Sequence, residues 1–231
     1  MSWMSFSRRE GRDRTAKGAP EALVVLLHDL GASAVTLTPI AARWSVTAPA
    51  TAFIALDGIE QLSIRSCDLP HAAHGANAGT EPTLLDRAAH NLEALLEHQL
   101  RSRRLDGTRL VLVGFGYGGT LALHLLLRRS WRCAGILAFA AQLVRPLPRM
   151  IRIDCKVRLI DCTADAQTNH SSLRDDVALL TGRGIDARGV VLSGSPLSDE
   201  AVRHGGAYLV ELVATAQRGD RFHVERESSH A

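Results

Sequence analysis

The stretch Arg109-Leu110-Val111-Leu112-Val113-Gly114-Phe115-Gly116-Tyr117-Gly118-Gly119-Thr120-Leu121-Ala122-Leu123-His124 constrains the fold more than any other part of the chain. An apolar run of β-formers ends in a cluster of glycines and passes straight into Leu/Ala-rich helix. Its length and continuity are those of a strand buried on both faces, and the glycines leave room only for a very tight turn, so the helix must run back along the sheet. A strand covered on both faces demands helices on two sides, which makes the expected class α/β with a mostly parallel sheet.

The rest of the chain follows that alternation. Ala22 to His28 reads as a buried strand ended by Asp29-Leu30-Gly31-Ala32-Ser33, Val35 to Arg43 as a short helix, and Ala52 to Leu56 as a second strand closed by Asp57-Gly58. Over residues 57–82, Pro70, Gly75, Gly79 and Pro82 break any period, the mark of a long functional loop or lid. From Thr83 the apolar positions Leu84, Leu85, Ala88, Leu92, Leu95, Leu96 and Leu100 recur at helical spacing, and Asp106-Gly107 ends the run. Beyond the glycine cluster come a helix to Arg129 with Leu121, Leu125 and Leu126 inward, strands at Gly135–Phe139 and Val157–Asp161, and a helix over Ser172–Thr181. A last strand at Gly189–Leu192 and a closing helix over residues 198–217 complete the pattern. The expected organisation is an N-terminal tail over residues 1–20, one domain over 21–218 and a polar tail over 219–231, with no internal repeat or linker.

A chain of 231 residues suits one such domain, large enough to bury a full core. A formal charge of +3 is too mild to argue for nucleic acid, and the basic runs at Arg8-Arg9, Arg101–Arg104 and Arg128-Arg129 are local; two of them fall at helix C-termini, where cations meet the negative end of the dipole. Cys67, Cys133, Cys155 and Cys162 form no C-x-x-C pair and no zinc spacing, so buried thiols in a reducing compartment are expected. No apolar run approaches membrane-spanning length, and Met1 to Glu10 lacks the apolar core of a secretory signal, so the expected location is the cytoplasm.

Leu27-His28-Asp29-Leu30-Gly31, at the end of the first strand, aligns with the pattern L-H-G-x-G, and Gly114 to Gly119 matches G-F-S-x-G-G at all but its centre. Thr163-Ala164-Asp165 matches T-A-D, and Ser198 to Val202 with Ala207-Tyr208-Leu209 matches a terminal helix that follows a catalytic His. Through these motifs, over about residues 22 to 215, the chain resembles the phospholipase/carboxylesterase family of α/β-hydrolases, single-domain esterases and acyl-thioesterases. The resemblance implies the α/β-hydrolase fold and a site built of a Ser nucleophile on a strained strand-to-helix elbow, a His base, a carboxylate that orients it, and two backbone N–H donors for the oxyanion.

Carried over residue by residue, the resemblance puts the acid on Asp165 and the oxyanion donors on the N–H groups of Tyr117 and of a residue at Leu30. The nucleophile position holds Gly116 and the His position, counted back from the closing helix, holds Ser195. Glycine has no nucleophilic atom and serine is no base at neutral pH. The expected protein is therefore a degenerate esterase kept for binding, with a small acyl or ester-like ligand or a protein partner, no cofactor, and assembly as a homodimer left open. The alternative is a working ester hydrolase with a non-standard nucleophile and His204 as base, which requires residues 198–200 to be loop and His204-Gly205-Gly206 a turn. Tyr117, one residue off the apex with a neutral hydroxyl, is a poor substitute nucleophile. If the scaffold is otherwise intact, Gly116→Ser and Ser195→His together should restore esterase activity.

Two other patterns are present. Gly114-Phe115-Gly116-Tyr117-Gly118-Gly119 also satisfies G-x-G-x-x-G, but no acidic residue lies between Gly107 and Ile153 to hold a ribose. His71 and His74 have only Asp68 as a nearby carboxylate, which is poor for a metal, and a solvated loop is the better reading.

Overall fold

The computed structural model describes residues 19–58, 83–129, 131–145, 155–162 and 170–218. The expected tails, most of the 57–82 loop with His71 and His74, Cys67, and Asp165 lie outside these residues. Among the described residues, six strands form one sheet: β1 (Ala22–Leu27), β2 (Thr51–Leu56), β3 (Leu110–Phe115), β4 (Gly135–Phe139), β5 (Lys156–Cys162) and β6 (Asp186–Leu192). Among the same residues, five α-helices connect or close them: α1 (Ala34–Ser45), α2 (Leu84–Ser102), α3 (Tyr117–Arg129), α4 (His170–Thr181) and α5 (Asp199–Arg218). The strand order is β2-β1-β3-β4-β5-β6, and every pairing is parallel.

The alternation of side chains along each strand explains the two layers of helix. On β1, Leu23, Val25 and Leu27 point into a core shared with α2, α3 and α4, while Ala22, Val24 and Leu26 point into a second core under α1 and α5. All six β1 residues are fully buried, hence the unbroken apolar run. On the α1/α5 side Phe115 stacks on Phe139 with centroids 4.5 Å apart, and Trp44 lies 6.4 Å beyond with its Nε1–H donating to the Val202 carbonyl at 3.0 Å. At the start of α2, Thr83 and Asp86 form a reciprocal capping box.

The strand order also marks where a crevice is to be expected. β1 hands over to β2 on one side and the chain then returns to place β3 on the other, so the connections diverge outside the carboxyl ends of β1 and β3. In parallel sheets a crevice opens where the order reverses in this way, and ligands bind there. His28-Asp29-Leu30 leaves the first of these ends and Gly116-Tyr117 the second.

Candidate active site

Gly116 is the apex between β3 and α3, with φ +51. Its N–H donates to the Phe139 carbonyl at 2.8 Å, and its own carbonyl accepts from Thr120 N at 3.0 Å. The turn is therefore pinned at both ends in a backbone region that costs a non-glycine residue about 1–3 kcal/mol. The flanking glycines answer to space: a Cβ at Gly118 would lie 2.5 Å from the Leu27 carbonyl oxygen, and one at Gly114 would fall on the Gly119 backbone. This is the geometry of a nucleophile elbow, carried by a residue without a side chain.

Two backbone donors converge beside it. Tyr117 N–H donates to Asp29 Oδ1 at 2.7 Å, and Leu30 N–H donates to the same oxygen at 2.8 Å. These are the two groups expected to form an oxyanion hole, and the structure brings them onto one point. The point is occupied by the chain's own carboxylate. Its position is favoured by charge-assisted hydrogen bonds and by the positive end of α3, the anion-attracting end of a helix. A Cβ built on Gly116 lands directly on the Asp29 carboxyl group, so the carboxylate fills the volume in which a nucleophile's side chain would begin. Asp29 stands at the third position of the L-H-G-x-G match, where the family pattern has glycine. That replacement is the sequence signal for this residue.

Ser195 lies in the turn between β6 and α5, at the same carboxyl edge of the sheet. It is exposed; its Oγ accepts from Leu197 N at 3.2 Å and its carbonyl accepts from Ser198 N at 2.9 Å. Here Ser195 shapes the turn into α5. His204 lies inside α5, exposed, so the condition for its use as a base is not met: residues 199–206 are helix and not a turn. The two glycines after it are accommodated because that face of α5 packs against the Phe139 and Trp44 rings.

His124 and His28 lie beside carboxylates elsewhere. His124 Nε2–H donates to Asp86 Oδ1 at 2.7 Å; burial outweighs Asp86 and lowers the pKa of the imidazole. It sits eight residues along α3 from Gly116, about 12 Å down the axis at the usual helical rise. Buried His28 donates from Nδ1 to the Asp29 carbonyl at 2.7 Å, and its Nε2 lies 3.7 Å from Asp57 Oδ1, too far for a hydrogen bond. It braces the loop that carries Asp29 and Leu30. Among the described residues no group of three or more His, Cys, Asp or Glu could hold a metal ion, and no helix is long and apolar enough to cross a membrane.

The model of the phospholipase/carboxylesterase family matches residues 14–150. The chain belongs to the phospholipase/carboxylesterase family. The matched segment includes the His28 loop and the elbow and ends before Asp165 and Ser195. Among solved structures, the esterase PE8 is 26% identical and superposes with a TM-score of 0.70 over 87% of this chain and 98% of that one. The carboxylesterase of Mesorhizobium loti is 17% identical, with a TM-score of 0.64 over 82% of this chain and 88% of that one. A carboxylesterase of Bacillus cereus is 14% identical, with a TM-score of 0.65 over 87% and 93%. No curated protein sequence matches the chain. The α/β-hydrolase fold expected from the motifs is thus the fold observed.

Proposed function

We propose that this member of the family is a silenced carboxylesterase, an α/β-hydrolase scaffold that does not turn over esters and serves instead to bind a small ligand or a protein partner. One observation carries the reading: at the elbow apex Gly116 offers no attacking atom, and the Asp29 carboxylate fills the space where that atom's side chain would start. The base position supports it, since Ser195 shapes a turn there and has no imidazole. Asp165, the carried-over acid, has no histidine at position 195 to orient. The cytoplasm is the proposed location; the buried thiols of Cys133 and Cys155, whose sulfurs lie 3.3 Å apart, are compatible with a reducing compartment.

Loss of a nucleophile and base that act as a unit leaves only what binding and oxyanion donors supply, on the order of 10³–10⁴ over water in serine proteases; here the donors are themselves engaged. The purified protein is therefore expected to resist labelling by a fluorophosphonate probe and to show no saturable turnover of p-nitrophenyl acetate or butyrate. Stoichiometric labelling, with the adduct mapped to a residue of this cleft, would overturn the reading.

A further inference from the structure

We infer that the anion seat of this fold is closed from within: the Asp29 carboxylate is a resident ligand of the Leu30 and Tyr117 amides, and residues 29 and 116 form an interdependent pair in which either the carboxylate or a side chain at 116 can be accommodated, not both. The inference rests on the reading of the elbow as silent, and it adds what holds the site in that state and what class of molecule the seat accepts.

The argument is geometric. Both N–H groups point at a single oxygen, at 2.7 and 2.8 Å, the convergence on one atom that an oxyanion requires. Both donors are held in place: Tyr117 is the first residue of α3, anchored by the Gly116 bonds to Phe139 and Thr120. Leu30 follows Asp29, whose carbonyl accepts from His28 Nδ1. The seat is thus built, preorganised and occupied by a carboxylate tethered one residue away from one of its own donors. A Cβ at 116 collides with that carboxyl group at three atoms, Cγ, Oδ1 and Oδ2. The Asp29 side chain could swing aside for it only by giving up both hydrogen bonds. Emptying position 116 and filling position 29 are therefore complementary changes. A seat shaped around a planar carboxylate accepts the same group from outside once the tethered one is removed, so the ligand class is a small carboxylate such as acetate or formate.

The test is chemical rescue read on the folded protein. In Asp29→Gly, the Leu30 and Tyr117 amide resonances should shift saturably on titration with sodium acetate or formate at constant ionic strength, and the thermal midpoint should rise with the added anion but not with chloride. Wild-type protein should respond in neither measurement. Asp29→Asn, whose carboxamide oxygen can accept the same two bonds, should stay closed to acetate. The second arm is a double-mutant cycle: Gly116→Ser should lower the midpoint markedly in the wild-type background, where it evicts Asp29, and clearly less in Asp29→Gly. The inference is overturned if wild type and Asp29→Gly respond to acetate alike, or if the two substitutions are additive. Should Asp29→Gly fail to fold, Gly116→Ser alone decides: the Leu30 and Tyr117 amides must move when the carboxylate leaves, and unchanged resonances overturn the inference. None of these outcomes depends on hydrolysis, whereas the silent-site reading fails on probe labelling of the wild type.

Discussion

Arg158, on β5, has a fully buried side chain yet remains charged, because every direction its guanidinium faces holds an acceptor. Glu211 of α5 accepts from Nε at 3.2 Å and from Nη2 at 2.7 Å, while Asp186 of β6 accepts from Nη1 at 3.1 Å through its side chain and at 2.8 Å through its carbonyl. One residue thereby ties a strand to its edge neighbour and to the covering helix. Hydrogen bonding to Arg158, with help from Lys156 and against the cost of burial, lowers the Glu211 pKa from 4.5 to about 2, and Asp186 is lowered for the same reason. A carboxylate depressed in the folded state stabilises it above the ordinary carboxylate range, and that contribution is lost as pH falls. The thermal midpoint should therefore decline between pH 4.5 and about 2. Arg158→Met should lower stability by about 3 kcal/mol, the low end for breaking a buried pair because both carboxylates keep contact with water, and should flatten that pH dependence. Urea unfolding at pH 7 and pH 3 measures both effects; equal slopes with pH in the two proteins would contradict the assignment. No sequence pattern announces a buried arginine, because its partners come from 28 and 53 residues away.

The elements were legible to the extent that burial made them so. β1, β3 and β4 are covered on both faces, and their apolar runs coincide with the strands to within two residues. β6 starts three residues before the apolar run that signalled it, because an edge strand keeps Asp186 and Arg188 at the surface and so lacks a continuous apolar stretch at its start. In α5 the reason for Gly205-Gly206 is tertiary. A Cβ at Gly205 would run into the tip of the Phe139 ring, and one at Gly206 would lie 2.9 Å from Trp44 Nε1. The glycines make a notch that lets α5 lie close over the stacked rings. Gly205→Ala gains about 1 kcal/mol of intrinsic helix propensity and loses roughly 1–3 kcal/mol to overpacking against a ring that has no room to retreat. Net destabilisation in urea is expected, despite a substitution that favours helices. A more stable Gly205→Ala would show that α5 can slide, and that the notch is not what seats it.

At the scale of the molecule, the strand order reverses between β1 and β3, and the two residues on which the silent-site proposal chiefly rests, Asp29 and Gly116, lie at the carboxyl ends of those two strands. Gly116 was readable from sequence because a missing hydroxyl is visible in a motif; the placement of the Asp29 side chain was not, because only the fold brings residue 29 onto residue 116. If the proposal holds, putting back the missing hydroxyl and imidazole, through Gly116→Ser and Ser195→His, is not expected to suffice on its own. The new hydroxyl would compete with a carboxylate for the same volume, and any tetrahedral intermediate would find its two donors occupied by an anion. Loss of a single oxyanion donor costs about 10²–10³ in kcat in a serine protease, so the pair Gly116→Ser with Ser195→His should fall at least that far below the same pair combined with Asp29→Gly. Turnover of p-nitrophenyl acetate by the two variants, each checked for folding by circular dichroism, compares them directly. Equal rates would mean that the carboxylate yields freely to substrate, leaving the nucleophile and base as the whole of the lesion.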